Sequence, residues 1–204
     1  MNSRTSGLLL VGAAMVILTS LSAMAYPPGV GILAKNRSCI NCHPSNGPWG
    51  DESHTVIDVL DATTKQSLKD SEGRLVIEAV RGQTRTVLTV IGRATNDPVE
   101  PPRRNAWLYV DTTQIATASL SKFAPGWEVN LPMACRIVGD PSPGVEAKSL
   151  TSLPMTIRPT DAARDASLEL QVMVTSGESV KGKADQGLVS NYFVRTVSLK
   201  VREP

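Results

Sequence analysis

The sequence predicts a mainly β protein, an antiparallel β-sandwich preceded by a short amino-terminal segment that carries the reactive side chains. Three observations predict it. Beyond residue 54 the apolar residues alternate with polar ones and are broken by turn residues roughly every ten positions. Helical periodicity is scarce throughout that region. Two of the three cysteines and both histidines fall within residues 25 to 54, a Pro/Gly-rich stretch that does not share the alternation.

Residues 1 to 25 read as a cleaved export signal. Arg4 lies in a short polar lead, an apolar run extends from Leu8 to Leu21, and Ala23-Met24-Ala25 is the small-x-small pattern at which signal peptidase cuts. The competing reading is an uncleaved anchor, because Leu8 to Ala25 approaches spanning length. Cleavage takes 25 of the 204 residues and leaves 179, beginning at Tyr26, with no second apolar run long enough to span. A soluble periplasmic or otherwise exported protein is therefore expected. Its formal charge falls from +2 to +1 with the loss of Arg4, which gives no reason to expect a nucleic-acid partner.

Residues 26 to 54 form the second unit. Their centre is Cys39-Ile40-Asn41-Cys42-His43, the C-x-x-C-H pattern of covalent haem attachment. The spacing has a chemical reason: two thiols three positions apart add to the two vinyl groups of one porphyrin edge, and the adjacent imidazole becomes the proximal ligand to iron. Such attachment occurs after export, so the signal segment and the motif agree. A zinc site built from Cys39, Cys42, His43 and His54 competes with this reading, as does a plain Cys39–Cys42 disulfide. Pro44, Gly47, Pro48 and Gly50 forbid a helix after the motif. Trp49, beside the motif, is expected to pack against the haem ring. Cys135 is left without a partner and reads as a buried thiol.

Residues 55 to 204 form the sandwich. Leu75-Val76-Ile77 and Thr86 to Ile91 read as neighbouring strands. Residues 96 to 105 are a Pro-rich loop whose Arg103 and Arg104 read as a solvated pair, with haem propionates as the sharper alternative. Residues 106 to 110 continue as a strand. The Pro125-Gly126 turn launches Trp127, Val129 and Leu131 onto one face. Leu168, Leu170, Val172 and Val174 share a face, as do Val197, Leu199 and Val201, with polar residues opposite. Short helical turns are expected at 68 to 73 and 160 to 166.

The first mature residues, Tyr26-Pro27, the motif Cys39-x-x-Cys42-His43 with Asn41 inside it, and the continuation His43-x-x-Asn46-x-Pro48 resemble cytochrome f. The likeness covers about the first quarter of the mature chain. It implies an immunoglobulin-like body and an iron ligated on its distal side by the α-amino group of the first mature residue, here Tyr26. An α-amine has a reference pKa near about 8 and loses its proton readily. Other candidates for that position are His54, a methionine (Met133, Met155 or Met173), or no ligand at all. The function this implies is that of an exported monohaem c-type cytochrome with one haem c, passing single electrons between redox proteins. A haem-based gas-binding protein and a zinc- or disulfide-stapled interaction module are the alternatives. No catalytic triad, carboxylate pair or phosphate loop suggests an enzyme.

Overall fold

The computed structural model describes residues 45–110, 124–130, 134–136, 145–177 and 187–204. Among these residues a short 3-10 turn, Glu52–His54, precedes nine strands. They are β1 Thr55–Asp61, β2 Leu75–Val80, β3 Arg85–Arg93, β4 Arg104–Val110, β5 Trp127–Asn130, β6 Ala134–Arg136, β7 Lys148–Pro159, β8 Ala166–Gly177 and β9 Leu188–Arg202. One sheet has the order β1-β3-β7-β5 and the other β2-β9-β8-β4-β6. The first reproduces the A-B-E-D adjacency of an immunoglobulin sandwich, and β9-β8-β4 its G-F-C row, with β2 and β6 added at the margins. The expected mainly β sandwich is thus what forms.

All strand pairs are antiparallel except β2 with β9, which run parallel from Leu75 opposite Val197 to Val80 opposite Arg202. This corrects the expectation that Leu75–Ile77 and Thr86–Ile91 are neighbours, because β2 and β3 lie in opposite sheets. The link between them is tied to both: Arg81 N–H donates to the Arg202 carbonyl at 2.8 Å, and Gly82 N–H to the Pro159 carbonyl at 2.8 Å. Gly82 makes that crossing with φ near 76°, a conformation that side chains disfavour.

The core follows the predicted alternation where both sheets contribute inward faces. Leu168, Leu170, Val172 and Val174 of β8 are buried against Val197 and Leu199 of β9, Trp107 and Tyr109 of β4, and Ile57 and Val59 of β1. Tyr109 keeps its hydroxyl satisfied inside by Thr89, and burial pushes its pKa upward. The opposite face of β8 departs from expectation: Gln171, Met173 and Thr175 are buried as well, so this strand is covered on both sides. Strand β7 carries Pro154 in its interior, opposite Leu88 of β3.

Candidate functional site

The described chain begins two residues after His43, and its first ten residues cross one end of the sandwich. Tyr26, Cys39, Cys42, His43 and Met133, together with the signal segment 1 to 25, lie outside the described residues. The side chain of Cys135 does too, although its backbone pairs with Ala106 in β6.

Residues 46 to 49 are attached to the start of β9. Strand β2 pairs with β9 only from Val197 onward, so the edge of β9 around Ser190 is open to another segment. Gly47 N–H donates to the Ser190 carbonyl at 2.7 Å, and the Asn46 side-chain oxygen accepts from Ser190 N–H at 3.3 Å. Trp49 N–H donates to the Asn191 amide oxygen at 2.7 Å. Only glycine fits at position 47, because a Cβ there would stand 2.6 Å from the Asn191 oxygen and 2.9 Å from the Ser190 carbonyl. Trp49 then enters the core, 3% exposed, and its ring N–H donates to the Glu100 carbonyl at 2.8 Å. Expected beside a haem ring, Trp49 sits in the sandwich as the anchor of this segment.

Arg93 ties residues 46 to 49 to the turn that holds His54. Its position continues the inward series Val87, Thr89, Ile91 of β3, so the alternation carries a guanidinium into the interior. There it meets Asp97 at 2.6 Å, both side chains only 1% exposed. Burial pushes Asp97 up, but the Val99 N–H and the guanidinium outweigh it and hold the carboxyl below its ordinary value. The Nη1 nitrogen of Arg93 also donates to the Trp49 carbonyl at 3.2 Å and to the Thr55 hydroxyl, and approaches the Asp51 carbonyl at 3.5 Å. One buried cation therefore gathers both ends of the loop 49–55. Two oxygens sharing one donor nitrogen lie at most about 6 Å apart.

Asp51 caps the turn between those ends. One carboxylate oxygen accepts from Ser53 N–H at 2.9 Å and from the Ser53 hydroxyl at 2.7 Å, and the other meets His54 Nδ1 at 2.9 Å. The Ser53 hydroxyl, its N–H and the imidazole together keep the Asp51 carboxyl below the usual range. The Thr55 hydroxyl donates back to the Asp51 carbonyl at 3.1 Å. His54 Nε2 has no hydrogen-bond partner among the described residues, and the side chain is 27% exposed.

Thr55, the next residue, begins the wall of a cleft of about 580 Å³ between the edge of β1 and the strands β2 and β9. Ile57 and Leu75 contribute to its lining, and Lys69, Arg74 and Arg195 are its cations. Each cation has a carboxylate beside it: the half-buried Asp58 at 3.7 Å from Lys69 and Asp70 at 2.8 Å from Arg74, and the exposed Glu52 at 3.2 Å from Arg195. The exposed Arg195–Glu52 pair is the weakest kind of the three.

Of the other predicted residues, Met155 is buried in the core cluster and Met173 is fully buried. Arg103 is exposed, and its backbone N–H donates to the Ser176 hydroxyl at 2.8 Å. The described residues contain no cluster of three or more histidine, cysteine or acidic side chains able to hold a metal, and no helix long and apolar enough to cross a membrane. Sequence reading passes over Arg93, Asp97, Asn191 and Asp51. A search against models of protein families and one against curated proteins find no match.

Proposed function

We propose that the chain is an exported monohaem c-type cytochrome that carries single electrons between redox protein partners, with its immunoglobulin-like sandwich as scaffold. The observation that carries this reading is the C-x-x-C-H pattern at residues 39 to 43, placed directly ahead of a segment clamped to the sandwich.

The residues present suit haem c. Cys39 and Cys42 supply the two thiols for covalent attachment, and His43 the proximal imidazole. The Tyr26 amine or His54 would complete the coordination of the iron. When bound, haem supplies a one-electron iron couple. The protein's own part is to hold its ligands still. Asn46, Gly47 and Trp49 fix the chain three to six residues beyond His43, and the Arg93–Asp97 pair fixes that stretch to the His54 turn. A clamp of this kind limits how far the ligands shift between oxidation states.

Expression in a bacterial host equipped for haem attachment tests the reading. The exported protein is expected to begin at Tyr26, to carry the mass of one haem, and to show a sharp c-type band on reduction. Replacing Cys39 and Cys42 together by serine abolishes the haem mass and the band. A chain that matures in that host without haem, or binds zinc stoichiometrically through the same residues, overturns the proposal in favour of a stapled interaction module.

A further inference from the structure

We propose that Asn46-Gly47 is a self-modifying site: Asn46 loses its side-chain ammonia spontaneously, the bonds to Ser190 restrain that loss, and the isoaspartate product releases the segment from β9. The proposal does not depend on the haem reading.

Three observations carry it. The first is the pair itself, the one Asn-Gly step in the sequence. The Gly47 nitrogen can attack the Asn46 side-chain amide because glycine has no Cβ to obstruct the approach and its backbone turns freely. Having given its proton to solvent, that nitrogen forms a bond to Cγ, and the Cγ–Nδ2 bond breaks with release of ammonia. Water then opens the cyclic imide at either carbonyl, leaving aspartate or isoaspartate at position 46. Asn46 is exposed, so water reaches it.

The second is where the reacting groups are held. The Gly47 N–H donates to the Ser190 carbonyl at 2.7 Å, and the Asn46 side-chain oxygen accepts from the Ser190 N–H at 3.3 Å. The nucleophile is thus bonded to one group of Ser190 and the electrophile to another. A nitrogen whose hydrogen is held by a carbonyl is slow to lose it, so ring closure waits for the segment to leave β9, a local opening that keeps the sandwich folded. The Trp49 N–H bond to Asn191 at 2.7 Å and the burial of Trp49 oppose that opening.

The third is that the clamp cannot shed the labile step. A Cβ at position 47 would stand 2.6 Å from the Asn191 oxygen and 2.9 Å from the Ser190 carbonyl, so docking requires the very residue that makes Asn46 labile. The two products differ in consequence. Aspartate keeps an oxygen where the amide oxygen stood and still accepts from the Ser190 N–H. Isoaspartate routes the main chain through Cβ and Cγ, adds a methylene between positions 46 and 47, and so cannot set both the Gly47 N–H and the side chain on Ser190.

The test is peptide mapping by mass spectrometry of the full chain aged in mildly alkaline buffer, which reads aspartate and isoaspartate at position 46. Conversion is expected to be at least about tenfold slower in the folded protein than in urea-unfolded protein. Asn191→Ala, which loses one buried hydrogen bond of the clamp, is expected to convert about tenfold faster than the folded wild type. Should Asn191→Ala fail to fold, the wild type decides: in urea too dilute to unfold the sandwich, conversion is expected to rise in step with hydrogen exchange at the Gly47 amide. Protein carrying isoaspartate at position 46, separated by chromatography, is expected to be cut by protease within residues 45–50, whereas Asn46→Asp resists. Equal rates in folded and unfolded chain, a rate unmoved by Asn191→Ala or by dilute urea, or isoaspartate protein as resistant as Asn46→Asp overturns the proposal.

Discussion

Residues 46–49 and residues 51–54 are near-neighbours in the chain, yet the protein holds them in opposite ways. The first group is anchored to β9 and to the core by the buried Trp49, bonded to Asn191 and to the Glu100 carbonyl, and by the buried pair of Arg93 and Asp97. The second is a solvent-facing turn closed by the single carboxylate of Asp51. The difference separates stability from chemistry. Interactions whose loss strands a buried charge or amide cost several kcal/mol, whereas an exposed cap costs about 1 kcal/mol, so the clamp sets the position of the segment and the turn can change at little cost to the fold.

This contrast orders the effects of substitution. Arg93→Met leaves Asp97 buried without its cation and is expected to destabilise the fold by about 3–5 kcal/mol in urea denaturation, the largest effect at this end of the molecule. Asn191→Ala removes the acceptor of the Trp49 N–H and is expected to cost about 1–3 kcal/mol. It should also free the amino-terminal segment for proteolysis before the sandwich unfolds. The sandwich itself is expected to weaken in acid. Asp61, accepting from the Thr64 and Thr63 N–H groups, has its pKa lowered to about 2, and Asp97 is lowered too. A carboxylate whose folded pKa lies below its unfolded value of about 3.9 stabilises the fold above that value and ceases to as the pH falls. The urea midpoint should therefore drop between about pH 4 and pH 2. The smallest effect is expected for Asp51→Ala, about 1 kcal/mol or less in stability, although it disturbs His54. Were Asp51→Ala to cost as much as Arg93→Met, the division between clamp and turn would fail.

The same two regions show how far the fold is legible in the sequence. Strands β8 and β9 announce their inward faces through alternation, and Leu168, Leu170, Val172 and Val174 are buried as that alternation requires. Pairing partners are less accessible. Adjacent runs such as β2 and β3 look like a hairpin locally, and only the ties of Arg81 to Arg202 and Gly82 to Pro159 send them to opposite sheets. Strand β7 escapes a sequence reading because Pro154, which lies in it opposite Leu88 of β3, looks like a breaker.

At the site, the C-x-x-C-H pattern is visible because its chemistry is local, whereas Asp51, passed over in the sequence, is readable only in principle as a cap in the short polar run Asp-Glu-Ser-His. Arg93 is readable in principle, since it falls in phase with Val87, Thr89 and Ile91 and a charge on an inward face demands a buried partner. Asn191 is not, because its role depends on Gly47 and Trp49 arriving from 142 residues away at the nearer of the two.

The central claim is that the motif holds one haem whose iron has both axial positions filled by this chain. An optical redox titration of the exported protein, repeated under carbon monoxide, tests it most directly. The expected result is a single reversible one-electron transition of a low-spin c-type spectrum that carbon monoxide leaves unchanged. Absence of the c-type band, or a reduced spectrum that shifts with the gas, would contradict it.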